Sequence, residues 1–325
     1  MPEFESRPFG GAADLALLIA FARSASAARL PGLSYWHAGD MVWQLFPFSH
    51  LPVVEDVRLW SDSEGLAGFV LFEPPLNCTF DLRPGIPADG ELLDGMLAWA
   101  EERRQYHARP GETVPRAYAM LGEGTLATVS LESDSGRRAA LERRGYVLSG
   151  ERHNVRYSQH LDHEIPPAPL PPGYRLRHAT DADIEARAEL HRDAWSPWGT
   201  SAFSAKRYAR LRMAPVYDPE LDVVLEAPDG QLVSYCIAWA DPESGVGTFE
   251  PVGTRPAAAR RGFGRAVVLE GLRRLRDRGL HTALIGTASV NTPALALYPS
   301  CVFALAGREC YYVKAMTAPS TPRTY

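Results

Sequence analysis

Residues 255–279, RPAAARRGFGRAVVLEGLRRLRDRG, set two glycines among arginines just ahead of an amphipathic stretch. Glycines at a turn let the backbone approach a ligand closely, and the amides that open a helix carry partial positive charge, so this pattern suits a phosphate or pyrophosphate. Gly262 and Gly264 also begin a dinucleotide-binding GxGxxG, but Val267 stands at the third glycine, and HTALIGTAS after it ends without the acidic residue that would hold a ribose. The absence of a GK[ST] ending excludes a P-loop. Cys78, Cys236, Cys301 and Cys310 are scattered without CxxC or Cys/His spacing, so no metal site is expected.

The elements around the glycines must position them. YRLRHA alternates like a strand, and Thr180 or Asp181 can cap the helix that carries Ile184, Ala188 and Leu190. LDVVLEA and LVSYCIAWA are β-rich runs separated by the turn PDGQ, and VGTFEPVGT follows as a third strand of an antiparallel meander. The glycine loop then opens a helix whose Val268, Leu272 and Leu275 share one face, with Gly279 placed to end it. HTALIGTAS reads as a buried strand, TPALALY as a short helix and ECYYVKAM as a last strand. The order is β-α-β-β-β-α-β-α-β, with a further helix around SAKRYARLRM.

At 325 residues two domains are expected. A net charge of -5 gives no global basic field for nucleic acid or an anionic membrane. The acidic start MPEFESRPFG, and an apolar stretch from Leu15 to Phe21 too short to span a bilayer, lead us to expect a soluble cytoplasmic protein. Five prolines between Pro166 and Pro172 read as a stiff linker at 165–173, between domains at 1–164 and 174–325. The two halves align: SDSGRRAALERRGYVLSGERH from Ser133 lies without gaps against VNTPALALYPSCVFALAGREC from Val290, so Asp134 faces Asn291, Tyr146 faces Phe303 and Gly150 faces Gly307. Upstream, TFDLRP from Thr79 resembles TFEPVGTRP from Thr248.

This order, with these residues on it, resembles the GNAT superfamily of acyl-CoA-dependent N-acyltransferases. The family motif is Arg or Gln, two residues, Gly, one residue, then Gly or Ala. Gly262 and Gly264 fill its glycine positions, with Ala259 at the basic position; Arg261, Gly264 and Ala266 satisfy it in a shifted register, and both registers stay open. Asn291, Ala294, Leu297, Tyr298 and Phe303 match a second family feature, with Val302 departing at its glycine. The match is strongest over residues 174–316, and the architecture resembles tandem GNAT proteins such as mycothiol synthases. The resemblance implies an α/β (α+β) fold of two tandem GNAT-like domains, each a mixed, mostly antiparallel sheet flanked by helices.

It also implies acetyl-CoA as acyl donor. Its pyrophosphate would meet the amides of Arg260, Arg261, Gly262, Phe263, Gly264 and Arg265, its pantetheine arm the main chain of Val252, Gly253 and Thr254, and Asn291 would lie beyond. Acyl transfer needs a neutral amine, whose pKa is near about 10.4, so a base is required. Glu250, two residues before Val252 and expected on the same strand face, is the candidate base; Tyr298 stands where the family carries an acid for the leaving thiolate. Other readings of Glu250 are a solvated strand carboxylate and a partner for Arg255. Trp195, Ser196 and Trp198 fall where the family lines its acceptor pocket. His191 and His281 are expected to be solvent-facing or hydrogen-bonded, without a catalytic role.

The first half lacks the loop: GIPADG stands there with Asp89, which repels phosphate, and Leu141 replaces the tyrosine. That lobe is expected not to catalyse, its YWHAGDMVWQLFPF run serving packing or shaping the acceptor site. The expected partner is a small-molecule amine acceptor, with small metabolites, antibiotics, peptide N-termini and lysine all open, and the chain a monomer or homodimer. The rival from another class is a non-catalytic acyl-CoA-binding sensor or interaction protein.

Overall fold

A computed structural model describes residues 4–29, 34–107, 121–122, 124–199 and 201–316. The same run of elements occurs twice. The first copy is β1 (Glu5–Phe9), α1 (Gly11–Ala28), α2 (Ala38–Leu45), β2 (Val54–Asp62), β3 (Gly65–Glu73), β4 (Asn77–Leu82), α3 (Glu91–His107), β5 (Thr125–Leu131), α4 (Ser135–Arg143) and β6 (Val147–His160). The second is β7 (Arg175–His178), α5 (Ile184–Trp195), α6 (Ala205–Leu211), β8 (Asp222–Glu226), β9 (Leu232–Asp241), β10 (Val246–Thr254), α7 (Phe263–Asp277), β11 (Thr282–Ala288), α8 (Thr292–Ser300) and β12 (Ala304–Ala315).

Matched positions in the two copies do the same local work. Asp134 caps α4 by accepting from the Arg137 amide, and Asn291 caps α8 by accepting from Ala294. After each helix the chain turns through a left-handed residue, Gly145 at φ 82° and Val302 at φ 64°. Val302 therefore keeps the conformation of the glycine it replaces, at a steric cost that glycine does not carry.

The chain divides into two compact units, and the division is not the sequential one read at 165–173. One unit holds the described residues of 1–17, 51–154 and 307–325; the other holds those of 18–50 and 155–306. The boundaries fall inside α1, β6 and β12 and in the segment after α2. Within the first unit the strands run β1-β2-β3-β4-β5-β12, with Tyr311 of β12 opposite Val129 of β5. Within the second they run β6-β11-β10-β9-β8-β7.

The proline-rich segment is not a free linker either. Ile165 is buried in the second unit's core, Ala168, Leu170 and Tyr174 pack against that core, and the carbonyls of Pro166 and Pro167 accept from Arg273 and Arg265. The prolines stiffen a strap that lies along α7. Helix α1, of 18 residues and mean hydropathy 1.3, is apolar and long enough by composition to cross a membrane, which a reading limited to Leu15–Phe21 misses. In this fold it buries one face, with Leu15, Leu18, Ile19, Ala22 and Ala25 buried, while Leu17 is exposed.

In the second unit, α7 buries Val267, Val268, Leu272 and Leu275 against β8–β10. Close approach is set by glycine: a Cβ on Gly271 would stand 2.4 Å from the Phe249 ring. The opposite face of the same strands carries Val224, Leu232 and Tyr235, packed with Leu190 of α5. Burying such large side chains is worth about 1.5–3 kcal/mol each, which fixes β10 between two helical layers.

Candidate active site

β10 and β11 run parallel and pair only at Val246–Thr282, Gly247–Ala283 and Thr248–Leu284. Beyond Thr248 the pairing stops, while β10 continues beside β9 through Val252–Cys236, Gly253–Tyr235 and Thr254–Ser234. The two strands thus part and leave one edge of β10 open along Val252, Gly253 and Thr254, a strand edge that an amide-bearing ligand can pair with. Gly253 is needed for reasons of space: a Cβ there would lie 2.5 Å from Tyr235 Cε1 and 2.9 Å from the Ala194 Cβ.

The glycine loop stands at the end of this gap. Arg260 and Gly262 both take the left-handed conformation, at φ 60° and 81°, and left-handed residues alternating with ordinary ones are the backbone pattern with which a nest of amides can receive an anion. Gly262 is the N-cap of α7 and offers no side chain, so the amides of Phe263, Gly264 and Arg265 open the helix with no side-chain cap. Gly264 joins the parts, since a Cβ there would sit 3.3 Å from Thr254 Oγ1 and 3.3 Å from Leu297 Cδ2. The arginine side chains divide their tasks. Arg261 lies over the Phe263 and Tyr174 rings and donates to Tyr174 Oη, and Arg265 donates to the Ser300 and Pro167 carbonyls. Arg260 makes no side-chain hydrogen bond or ion pair among the described residues and is exposed beside the loop. The backbone seats Gly262 and Gly264 at the N-cap and second helical position.

Glu250 lies in a bulge of β10. The register slips between Phe249 and Val252, where Pro251 has no amide to donate, and Phe249 and Val252, three residues apart, both pack with the core that contains α7. The two-residue alternation expected to put Glu250 on the face of Val252 is therefore not kept. Nor does Glu250 pair with Arg255, which is buried and bonded to Asp193 and Glu189 of α5 and to the Leu232 carbonyl. The Glu250 carboxyl is pushed up to about 8, first by burial and then by the negative charge of Asp40. Its main-chain carbonyl accepts from Trp239 Nε1 at 2.6 Å.

Tyr298, on α8, is buried edge-on to Tyr157 with ring centroids 5.9 Å apart, and its phenol is pushed well above the ordinary range by burial and then by the charge of Glu250. A phenol held protonated is suited to donating. Asn291, expected beside the cofactor, spends its Oδ1 on capping α8. Trp195 Nε1 donates to Tyr235 Oη, and Tyr235 Oη lies 2.7 Å from His191 Nδ1. His191 is not solvent-facing: burial, then Arg187, lowers it to about 3, so it is neutral. Arg187 is itself fully buried, its Nε on Asp222 and its guanidinium 3.4 Å from the Tyr235 ring centroid. These residues stiffen the floor under Gly253.

Sequence reading missed two participants, Asp40 and Trp239. Asp40 lies in α2, remote in sequence from the glycine loop, where only the Trp-rich composition around residue 36–43 pointed that way; Trp239 lies nearby in β9, but its bond to the Glu250 carbonyl has no sequence signal. A separate groove of about 560 Å³ at the far end of α7 is lined by His178, Glu220, Arg274, Asp277 and Arg278. Its arginines are already bonded to Glu270, Asp218 and Glu220, so they are not held ready for a ligand.

In the first unit the position matching Glu250 is Asp81. It is fully buried and bonded to Arg137 at 3.0 Å, while Arg137 also donates to the Phe80 carbonyl and lies over the Phe80 ring. Leu141, matching Tyr298, is buried in the core. The carboxylate is locked by a guanidinium, and a leucine stands where the second unit has Tyr298.

Comparison with known proteins agrees with this geometry. Residues 185–303 match the acetyltransferase (GNAT) family. The chain is similar to a mycothiol acetyltransferase of Arthrobacter sp. (strain FB24), 30% identical over 42% of this chain and 44% of the relative, and to one of Thermobispora bispora, 28% identical over 74% of this chain and 78% of the relative. It spans about half the length of the first curated relatives it matches. Among solved structures, a tandem GNAT protein from the clavulanic acid biosynthesis pathway superposes with a TM-score of 0.65 at 16% identity, over 98% of this chain and 100% of the other. A GCN5-related N-acetyltransferase from Sphaerobacter thermophilus gives 0.64 at 21% identity, over 98% and 97%. The chain has the fold of these tandem GNAT structures, and its residues 185–303 match the acetyltransferase (GNAT) family.

Proposed function

We propose that this protein transfers an acetyl group from acetyl-CoA to a primary amine of a small molecule, using the second unit alone. The observation that carries this reading is the conjunction of an uncapped α7 with the nest at Arg260 and Gly262, at the end of the opening between β10 and β11. A pyrophosphate fits the amides of residues 260–265, with Arg260 beside it, and a pantetheine amide fits the edge at Val252–Thr254. Acetyl-CoA supplies an activated acyl carbon with a thiolate leaving group. In this reading Glu250, near 8, takes a proton from the amine in its ionised form, which grows as pH rises through about 8, and Tyr298, held protonated, gives one to the thiolate.

Val302 does not argue for a lost site, because it retains the left-handed turn of the family glycine. The buried Asp81–Arg137 pair supports a first unit without transfer activity. Thiol release from acetyl-CoA across a panel of primary amines, with Tyr298→Phe beside the intact protein, tests the reading. Amine-dependent release, lowered in the variant, is the expected result. Acetyl-CoA binding with no release for any amine would replace this reading with a sensor.

A further inference from the structure

The proline-rich strap ends against the loop that opens α7. Gly173, at φ 83°, lies against the turn between β8 and β9, where a Cβ would stand 2.9 Å from Pro228 Cγ, and the Tyr174 amide donates to the Pro171 carbonyl at 3.2 Å. This turn lays the Tyr174 ring on Phe263, the first residue of α7, with centroids 4.8 Å apart. The Arg261 guanidinium covers both rings, 5.4 Å from the centroid of Tyr174 and 4.7 Å from that of Phe263, and its Nη2 donates to Tyr174 Oη at 3.0 Å. Four residues on, Arg265 spans from the Pro167 carbonyl of the strap to the Ser300 carbonyl at the end of α8, the helix that carries Tyr298. Two arginines of the loop are thus spent on the strap and on α8.

We infer that Tyr174 is a positioning residue for the acyl donor: through Arg261 it holds the α7 loop in the conformation that receives the pyrophosphate. The inference rests on the acetyltransferase reading of the site. Arg260 stands at φ 60°, a conformation that costs free energy in a residue with a Cβ and persists only where the surroundings hold it. Upstream, the chain is held by the Ala259 amide, which donates to the Pro256 carbonyl. Downstream, Gly262 has no side chain to anchor. Arg261 lies between the two left-handed residues and is fixed by two ring faces and a phenol oxygen, so fixing it fixes the curl of the loop on both sides. The rings are themselves held, because Phe263 is buried in the core of the second unit and Tyr174 packs against that core. A loop ordered before its ligand arrives spares the binding step the entropy of ordering it.

The test is a double-mutant cycle on the full chain, read as acetyl-CoA affinity by calorimetry. Tyr174→Leu keeps an apolar side chain on the core and removes the ring and the phenol; it should weaken acetyl-CoA binding about tenfold, and Tyr174→Phe, which deletes only Oη, about threefold. Arg261→Ala should weaken binding further than either, since it also removes a charge near the phosphates. Because Tyr174 acts through Arg261, adding Tyr174→Leu to Arg261→Ala should change the affinity by less than about twofold, an outcome that a merely structural tyrosine does not give. Circular dichroism checks that each variant folds, and Tyr174→Phe, which leaves the packing in place, carries the same cycle should the leucine variant not fold. Affinity unchanged in the Tyr174 variants, or losses that multiply when Tyr174 and Arg261 are replaced together, would overturn the role of Tyr174. An intact protein that binds no acetyl-CoA would instead overturn the acetyltransferase reading beneath it.

Discussion

Replacing Glu250 by Gln should make the protein more stable at high pH and less active everywhere. The carboxyl stands at about 8 in the fold against an ordinary 4.5. Because its folded value is raised, the neutral form is the favoured one; its contribution is complete below about 4.5 and is lost as pH rises through about 8. At about 1.4 kcal/mol per pH unit the interval corresponds to on the order of 4 to 5 kcal/mol, and solvent reaching the partly open side chain reduces this to about 2. Gln has nearly the same shape and no charge to bury. The variant should therefore match the natural protein near pH 5 and exceed it by about 2 kcal/mol near pH 9, or roughly 4 to 8 °C in Tm for a unit of this size. Thermal melts at pH 5, 7 and 9 read the difference. In the same pair kcat/KM of the natural protein should climb to a plateau above about pH 8, while the variant stays flat and about 10²–10⁴-fold lower. A Tm difference that does not vary with pH would refute the argument that burial and Asp40 raise this carboxyl. An unchanged rate would refute its use as base.

Other outcomes follow from single observations. Val302→Gly should relieve a β-branched residue at φ 64°; a strain of about 1–2 kcal/mol less about 0.5–1 for the looser unfolded chain leaves a net gain of about 0.5–1 kcal/mol, seen as a rise of about 1–3 °C in Tm. A fall would mean the exposed valine contributes packing that the left-handed turn conceals. Arg137→Ala leaves Asp81 buried without its cation and should cost about 3–5 kcal/mol by urea denaturation, with acetyl-CoA stoichiometry unchanged. Gly253→Ala forces a Cβ against Tyr235 and Ala194, and should weaken acetyl-CoA binding at least about tenfold with a smaller effect on KM for the amine; equal effects on both would separate β10 from the pantetheine path.

Much of this fold is written locally. The hairpin between β8 and β9 follows from Asp229 and Gly230, whose φ of 85° the turn requires, and α7 is bounded by Gly262 and by Gly279 at φ 80°. The repeat was legible because its helix caps and turns recur at a constant offset. What local pattern does not carry is long-range partnership. The division of β6 and β12 between units depends on strand pairing that composition cannot encode, and the proline strap looked like a linker because prolines favour extended chain wherever it lies. The same limit applies to the site. Glycines and the Asn291–Tyr298 run mark their own positions, but the bulge at Glu250 and Pro251 breaks the alternation used to orient the base. Asp40 acts on the Glu250 carboxyl from roughly 200 residues away, through a helix whose seat is the missing side chain of Gly39.

The decisive measurement is a calorimetric titration of the intact chain with acetyl-CoA beside Gly264→Asp, whose carboxylate would stand at the opening of α7. One site per chain, lost in the variant while its circular dichroism is unchanged, is the result expected if the α7 nest holds the pyrophosphate. Equal binding by both proteins, or more than one site per chain, would contradict that assignment.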